Sequence, residues 1–98
     1  MMKFEWHEQK NRLNLQKHNI SFEMAVLVFA DPLHVSIQDR FENGEERWQT
    51  LGMVNGQLML LVAHTIQDSE DGEVIRIISA RRADPKERRR YEAANRLG

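Results

Sequence analysis

The chain contains no cysteine, which removes disulfides and thiolate metal centres together. It holds only two prolines and five glycines among 98 residues, and no stretch has the composition of a linker, a repeat or a low-complexity segment. No apolar run approaches the roughly 20 residues that a membrane span requires. The first residues, MMKFEWHEQK, turn polar at once and lack the apolar centre of a secretory signal. A single domain over residues 1–98 is expected, cytoplasmic and with no membrane partner. Hydrophobic content of 41% with 30% charged residues suits a folded chain rather than a disordered one.

Several chemistries are missing as well. There is no Gly-rich phosphate loop and no Gly-x-Ser-x-Gly nucleophile turn. His7 and His18 stand eleven residues apart, His34 and His64 fall on different strand-like runs, and no His-x-His or Glu-x-x-His pair occurs. The acidic run DSEDG at 68–72 lacks the spacing of a calcium loop and reads as a solvated turn. No metal and no cofactor are expected, and a two-metal nuclease is disfavoured. Aromatics number seven. Trp6, Phe22 and Phe29 read as core, which leaves Phe41 and Trp48 as candidates to stack on nucleic-acid bases.

What the chain has is segregated charge. Its formal net charge is −1, yet residues 76–98 hold eight Lys/Arg against three acids, while residues 19–75 hold two against ten. Such asymmetry suits an anionic partner for the basic ends; mutually neutralising solvated faces are the plain alternative.

The pattern of elements is legible. Residues 7–18 contain no Gly or Pro and form a polar helix. Trp6 and Leu13 are expected to anchor it, with Leu15 on another side, while Lys10, Asn14, Lys17 and His18 share an arc beside the anchors. Ser21 caps a second, apolar helix over FEMAVLVFA, which Asp31–Pro32 should end. Strands follow at 33–38, 47–54, 57–65 and 74–81. Asn55–Gly56 marks a type I′ hairpin, and the short connections favour an antiparallel meander. Asp84, Pro85 and Glu87 open a last helix through a capping box, with Tyr91, Ala94 and Leu97 or Ala93 as its packing face. The expected class is α+β: two N-terminal helices, a four-stranded antiparallel sheet and a C-terminal helix.

Strict alternation along the fourth strand puts Ile75, Ile77, Ser79 and Arg81 on one face, with Arg76, Ile78 and Ala80 on the other. An arginine held among isoleucines presents a rigid fork suited to phosphate, although Arg76 could equally pair with a central acid. Metal-free RNA cleavage needs proton transfer at the attacking 2′-hydroxyl and at the leaving oxygen, plus cations on the phosphorane. Lys10, Lys17, His18, Arg76, Arg81 and Tyr91 supply those groups.

Three segments carry a resemblance: FEWHEQKNRLNLQKHNISFEMAVLVFADP, GEERWQTLGMV and VIRIISARRADPKERRRYE. Together they span about Phe4 to Glu92, and the chain resembles the BrnT-type toxin family. That resemblance implies a RelE-like ribonuclease, the toxin of a type II toxin–antitoxin pair, which cleaves RNA without a metal and inhibits translation. It implies a cognate antitoxin of the BrnA type, with operator DNA contacted only through that antitoxin. Carried over by position, the family's recurrent polar residues fall at Lys10, Asn14, Lys17, His18, Arg47, Arg76, Ser79, Arg81, Glu87, Arg88 and Tyr91.

The expected catalytic set is Lys17, His18, Arg76, Arg81 and Tyr91. The expected RNA-binding set is Lys10, Asn14, Arg47, Ser79, Arg82, Arg88 and Arg89. Two positions depart from the family pattern. Asn19 replaces a usual glycine but tolerates left-handed geometry, and His7 replaces a usual acid and should weaken the first helix cap. A non-catalytic nucleic-acid-binding or protein-interaction module using the same basic surface is the alternative reading.

Overall fold

The computed structural model describes residues 2–96. The elements run β1 (Lys3–Glu5), α1 (Glu8–His18), α2 (Phe22–Val26), a 3₁₀ segment (Leu27–Ala30), β2 (Val35–Glu42), β3 (Glu45–Val54), β4 (Leu58–Ser69), β5 (Gly72–Arg82) and α3 (Pro85–Ala94). They build an α+β domain around one five-stranded sheet of order β1-β5-β4-β3-β2.

The expected four antiparallel strands need correction. β2 through β5 are antiparallel neighbours, but β1 adds a fifth strand parallel to β5, with Lys3, Phe4 and Glu5 opposite Val74, Ile75 and Arg76. Three residues are too few for alternation to register as a pattern. The strands are also longer than expected, because Asn43 (φ 55°) and Gly44 (φ 76°) make a second tight hairpin of the same left-handed kind as Asn55 (φ 54°) and Gly56 (φ 68°). The run DRFENGEE is therefore mostly strand. The expected nine-residue second helix is a short α2 that tightens into the 3₁₀ segment.

The main core lies on one sheet face, hereafter the helical face. Ile20, Phe22, Ala25 and Val28 pack there on Val54, Leu60, Val62, Ile75, Ile77 and Ala80, with Trp6 and Phe29 partly buried against them. The Ser21 hydroxyl accepts the Met24 amide at 3.1 Å and starts α2 as expected. Gly52 lets the 3₁₀ segment lie on β3, since a Cβ there would stand 2.7 Å from Val28 Cγ1 and 2.9 Å from the Val28 carbonyl. Also on this face, buried His64 is held by its ring edges. Its Nε2 lies 2.6 Å from the Thr50 hydroxyl, which reaches Ser36 at 2.8 Å, and its Nδ1 lies 3.3 Å from the Thr65 carbonyl. Burial pushes the imidazole pKa down to about 4.

α1 docks in an unexpected way. Leu13 and Leu15 are exposed, at 56% and 46%, whereas Asn11 and Asn14 are buried. The Asn14 amide donates to the carbonyls of Ile20 and Ala80, each at 2.8 Å, and accepts the Ala80 amide at 3.1 Å. Asn14 thus stands where a neighbouring strand would pair the outer edge of β5 beyond the end of β1. Asn11 accepts the Phe22 amide at 2.8 Å and so fixes the start of α2. Helix α1 is held by amide hydrogen bonds rather than by an apolar stripe. Asn19 adopts the left-handed conformation (φ 60°) at its C-terminus, and His7 makes no side-chain cap at its start.

The opposite face is covered only at one end. There Tyr91 of α3 packs with Leu51, Met59 and Leu61. The capping box is formed, with the Glu87 amide donating to Asp84 at 2.8 Å and the Asp84 amide to Glu87 at 2.9 Å. Of the expected packing residues, Ala93 and Ala94 are exposed, and Leu97 lies outside the described residues.

Candidate ribonuclease site

The open face takes its character from a β-bulge. Ala63 is opposite Ser79, yet the next β4 residue, His64, is opposite Ile77. Ile78 is the extra residue, and it reverses the phase of the strand. Ile75, Ile77 and Ala80 all reach the helical-face core. Arg76, Ser79 and Arg81 stand on the other side, opposite Thr65, Ala63 and Leu61. The expectation that Arg76 and Arg81 face opposite ways is thereby overturned.

Arg47 joins them, because it is opposite Thr65, which is in turn opposite Arg76. Two strand spacings separate Arg47 from Arg76, about 10 Å, and the rise along four residues of β4 separates Arg76 from Arg81 by about 14 Å. Three guanidinium-bearing side chains thus spread over one sheet surface.

Each arginine meets a carboxylate. Arg76 is hydrogen-bonded to Glu45, and this pairing holds the Glu45 carboxyl below its usual range. Arg47 lies 3.6 Å from Glu42. Its Nε is the single buried side-chain nitrogen or oxygen without a partner among the described residues. An unmatched buried donor costs about 1–3 kcal/mol, a cost that the Glu42 contact at Nη1 leaves in place. Arg81 is gripped at both ends of its fork: Nη1 to Glu87 Oε1 and Nη2 to Glu87 Oε2, both 2.9 Å. That pair raises the Arg81 pKa and lowers that of Glu87.

Helix α1 forms the rim. Lys10, Leu13, Asn14, Lys17 and His18 line a shallow pocket of about 230 Å³ with Ile78 and Ser79. Lys10, Lys17 and His18 therefore meet the sheet at the bulge, between the Arg76 and Arg81 positions. His7 and Glu5 border Arg76 from the end of β1, in a pocket of about 240 Å³ with Trp6.

Three expected residues are engaged or placed differently. Asn14 lines the rim pocket but has both amide donors committed to backbone carbonyls. Arg82 is opposite Leu60 and falls on the helical-face side of the strand. The Tyr91 hydroxyl donates to Asp31 Oδ2 at 2.6 Å, and burial together with that carboxylate pushes its pKa up to about 12. Burial of Asp31 acts to raise its pKa, but the Met53 amide, the Tyr91 hydroxyl and the Leu33 amide outweigh this and lower it. Tyr91 and Asp31 line a separate cleft of about 500 Å³ with Leu27, Leu33 and Met53. Arg88 and Arg89 are exposed on α3.

Sequence reasoning missed Glu42 and Glu45, which look like any loop acids until the hairpin places them over the sheet. It found Glu87 as a helix cap and, through the resemblance, as a recurrent polar residue, but not as the partner of Arg81. Among the described residues no three imidazoles or carboxylates gather as a ligand set, and no helix is long and apolar enough to cross a membrane.

The comparisons with known proteins agree with this architecture. A crystal structure of the Brucella abortus ribonuclease toxin BrnT matches with a TM-score of 0.61 at 23% identity, covering 86% of this chain and 99% of that one. At that identity the match speaks for the fold. No curated protein sequence matches the chain. Residues 6–87 match the profile of the family described as ribonuclease toxin, BrnT, of type II toxin-antitoxin system. With most of its length inside that match, the chain belongs to the BrnT family of ribonuclease toxins of type II toxin–antitoxin systems.

Proposed function

We propose that this toxin is a metal-independent endoribonuclease whose reaction takes place on the open sheet face, at the rim made by α1. In this reading the 2′-oxygen of a bound ribose attacks the adjacent phosphorus. The P–O5′ bond breaks, leaving a 2′,3′-cyclic phosphate on one fragment and a 5′-hydroxyl on the other. Arg76 and Arg81, with Arg47 behind them, hold the non-bridging oxygens as negative charge builds. His18 and Lys17 accept the 2′-hydroxyl proton and return one to the leaving O5′. Lys10 and Ser79 position the strand. The Tyr91 hydroxyl docks α3 onto Asp31 and takes no proton. The observation that carries the reading is the bulge at Ile78, which gathers Arg76, Ser79 and Arg81 on one face beside the rim.

The toxin is neutralised, in this reading, by a BrnA-type antitoxin that covers the open face and alone contacts operator DNA. Purified toxin should cleave RNA in EDTA, and Arg76→Ala or Arg81→Ala should slow this at least about 100-fold. Cleavage that requires an added divalent ion would refute metal independence. A non-catalytic RNA-binding face is favoured by one feature, the pairing of all three arginines with carboxylates. It predicts retention that weakens steeply with salt and yields no cleavage fragments.

A further inference from the structure

From the geometry of α3 we infer that Glu87 is a positioning residue of the ribonuclease site, which fixes Arg81 so that one defined edge of its guanidinium faces the substrate phosphate. The inference rests on the proposed role of Arg81 and adds a residue and an orientation to it. A guanidinium carries five N–H donors: two on each Nη and one on Nε. In Arg81 both Nη1 donors are engaged, one by Glu87 Oε1 at 2.9 Å and one by the Arg82 carbonyl at 3.2 Å. One Nη2 donor is engaged by Glu87 Oε2 at 2.9 Å. The two that remain are Nε–H and the second Nη2–H. They lie side by side on the same edge and form a fork that matches two oxygens of a phosphate.

The Glu87 carboxylate is itself over-determined. Its side chain is 16% exposed. Its Oε1 also accepts the Asp84 amide at 2.9 Å, and its own amide donates to Asp84 at 2.8 Å. The cap of α3 and the orientation of Arg81 therefore share one carboxylate. Arg47 and Arg76 have no such clamp: each has a single contact to an acid on the β2–β3 hairpin, at Glu42 and Glu45. With its end-on edge occupied, Arg81 cannot swing to chelate a phosphate through Nη1 and Nη2. It can offer only the side-on fork, aligned before substrate arrives.

Glu87→Gln separates the two tasks, because a glutamine carbonyl still closes a capping box with the Asp84 amide but cannot accept both Arg81 nitrogens. We expect Glu87→Gln to melt within about 2 °C of the parent and to lose roughly 10- to 100-fold in kcat with little change in KM. Glu87→Asp, which keeps the charge but is one methylene shorter, should recover part of the loss. A second readout does not depend on cleavage. In the parent the Arg81 Nε–H NMR signal should show a rigid side chain and should shift on titration with inorganic phosphate. In Glu87→Gln the same signal should report a mobile side chain, while the Asp84 amide stays protected. An Arg81 side chain equally rigid in parent and variant would overturn the inference, as would unchanged kcat in Glu87→Gln. A parent that cleaves no RNA but shows the Arg81 clamp would sink the catalytic reading and leave the clamp standing.

Discussion

Acidification should test the hydrogen-bonded chain that runs from buried His64 through Thr50 to exposed Ser36 more sharply than any mutation. His64 is completely buried and its pKa is lowered from 6.5 to about 4, chiefly by desolvation. A group whose folded pKa lies below its unfolded value binds protons preferentially in the unfolded state. Its neutral form therefore favours folding above pH 6.5, and that contribution is lost as pH falls toward 4. The slope approaches about 1.4 kcal/mol per pH unit within the window. Between pH 7 and pH 5 the unfolded imidazole becomes almost fully charged while the folded one stays neutral, a loss of about 2 kcal/mol. The lowered carboxyls of Asp31, Glu45 and Glu87 start from 3.8 and 4.5, so their share is lost mainly below pH 5. The pH 5–7 window thus separates the His64 contribution from that of the carboxyls. Urea unfolding should show the midpoint falling by roughly 1 M between those values. Two-dimensional NMR should show the His64 ring remaining neutral at pH 5. A midpoint that stays level from pH 7 to pH 5, or a His64 ring already charged at pH 6, would refute the argument.

Two further tests address how the helices are held. Asn14→Asp keeps the shape but removes both donors, leaving the Ile20 and Ala80 carbonyls facing a carboxylate; it should destabilise by about 2–4 kcal/mol in urea titration, and a change below 0.5 kcal/mol would return Asn14 to the substrate side. Tyr91→Phe deletes the hydroxyl that reaches Asp31 and should lower stability by about 1–2 kcal/mol while leaving cleavage per folded molecule within about threefold. A hundredfold loss of cleavage with stability intact would make that hydroxyl part of the reaction.

Both asparagines of α1 show why the N-terminal reading went astray. Periodicity assigns a helix to the core by its apolar residues, and α1 has too few. Its buried positions are amides that satisfy backbone groups of distant residues, sixty-six positions away for Asn14 and Ala80. Nothing local distinguishes such an amide from a solvated one. The basic residues of α1 were legible as a group, and they do meet the sheet together at Ser79. The carboxylates that pair with the arginines were not, because hairpin pairing and helix docking create those contacts.

Features that depend on neighbours along the chain are readable without the fold: the Ser21 cap, the Asp84–Glu87 capping box, the Asn55–Gly56 turn, the basic last quarter and the family motifs. Those signals work because each is closed within a few residues by hydrogen bonding or by backbone sterics. Tertiary structure decided which way the arginines face. One unpaired residue, Ile78, shifts β5 out of phase, and a strand's side-chain period of two turns that shift into a change of face for everything beyond it. Whether such a bulge forms depends on the register with β4 and on the apolar demand of the helical face, where Ala80 must follow Ile77 into the core. Arg76, Ser79 and Arg81 share one surface for that reason.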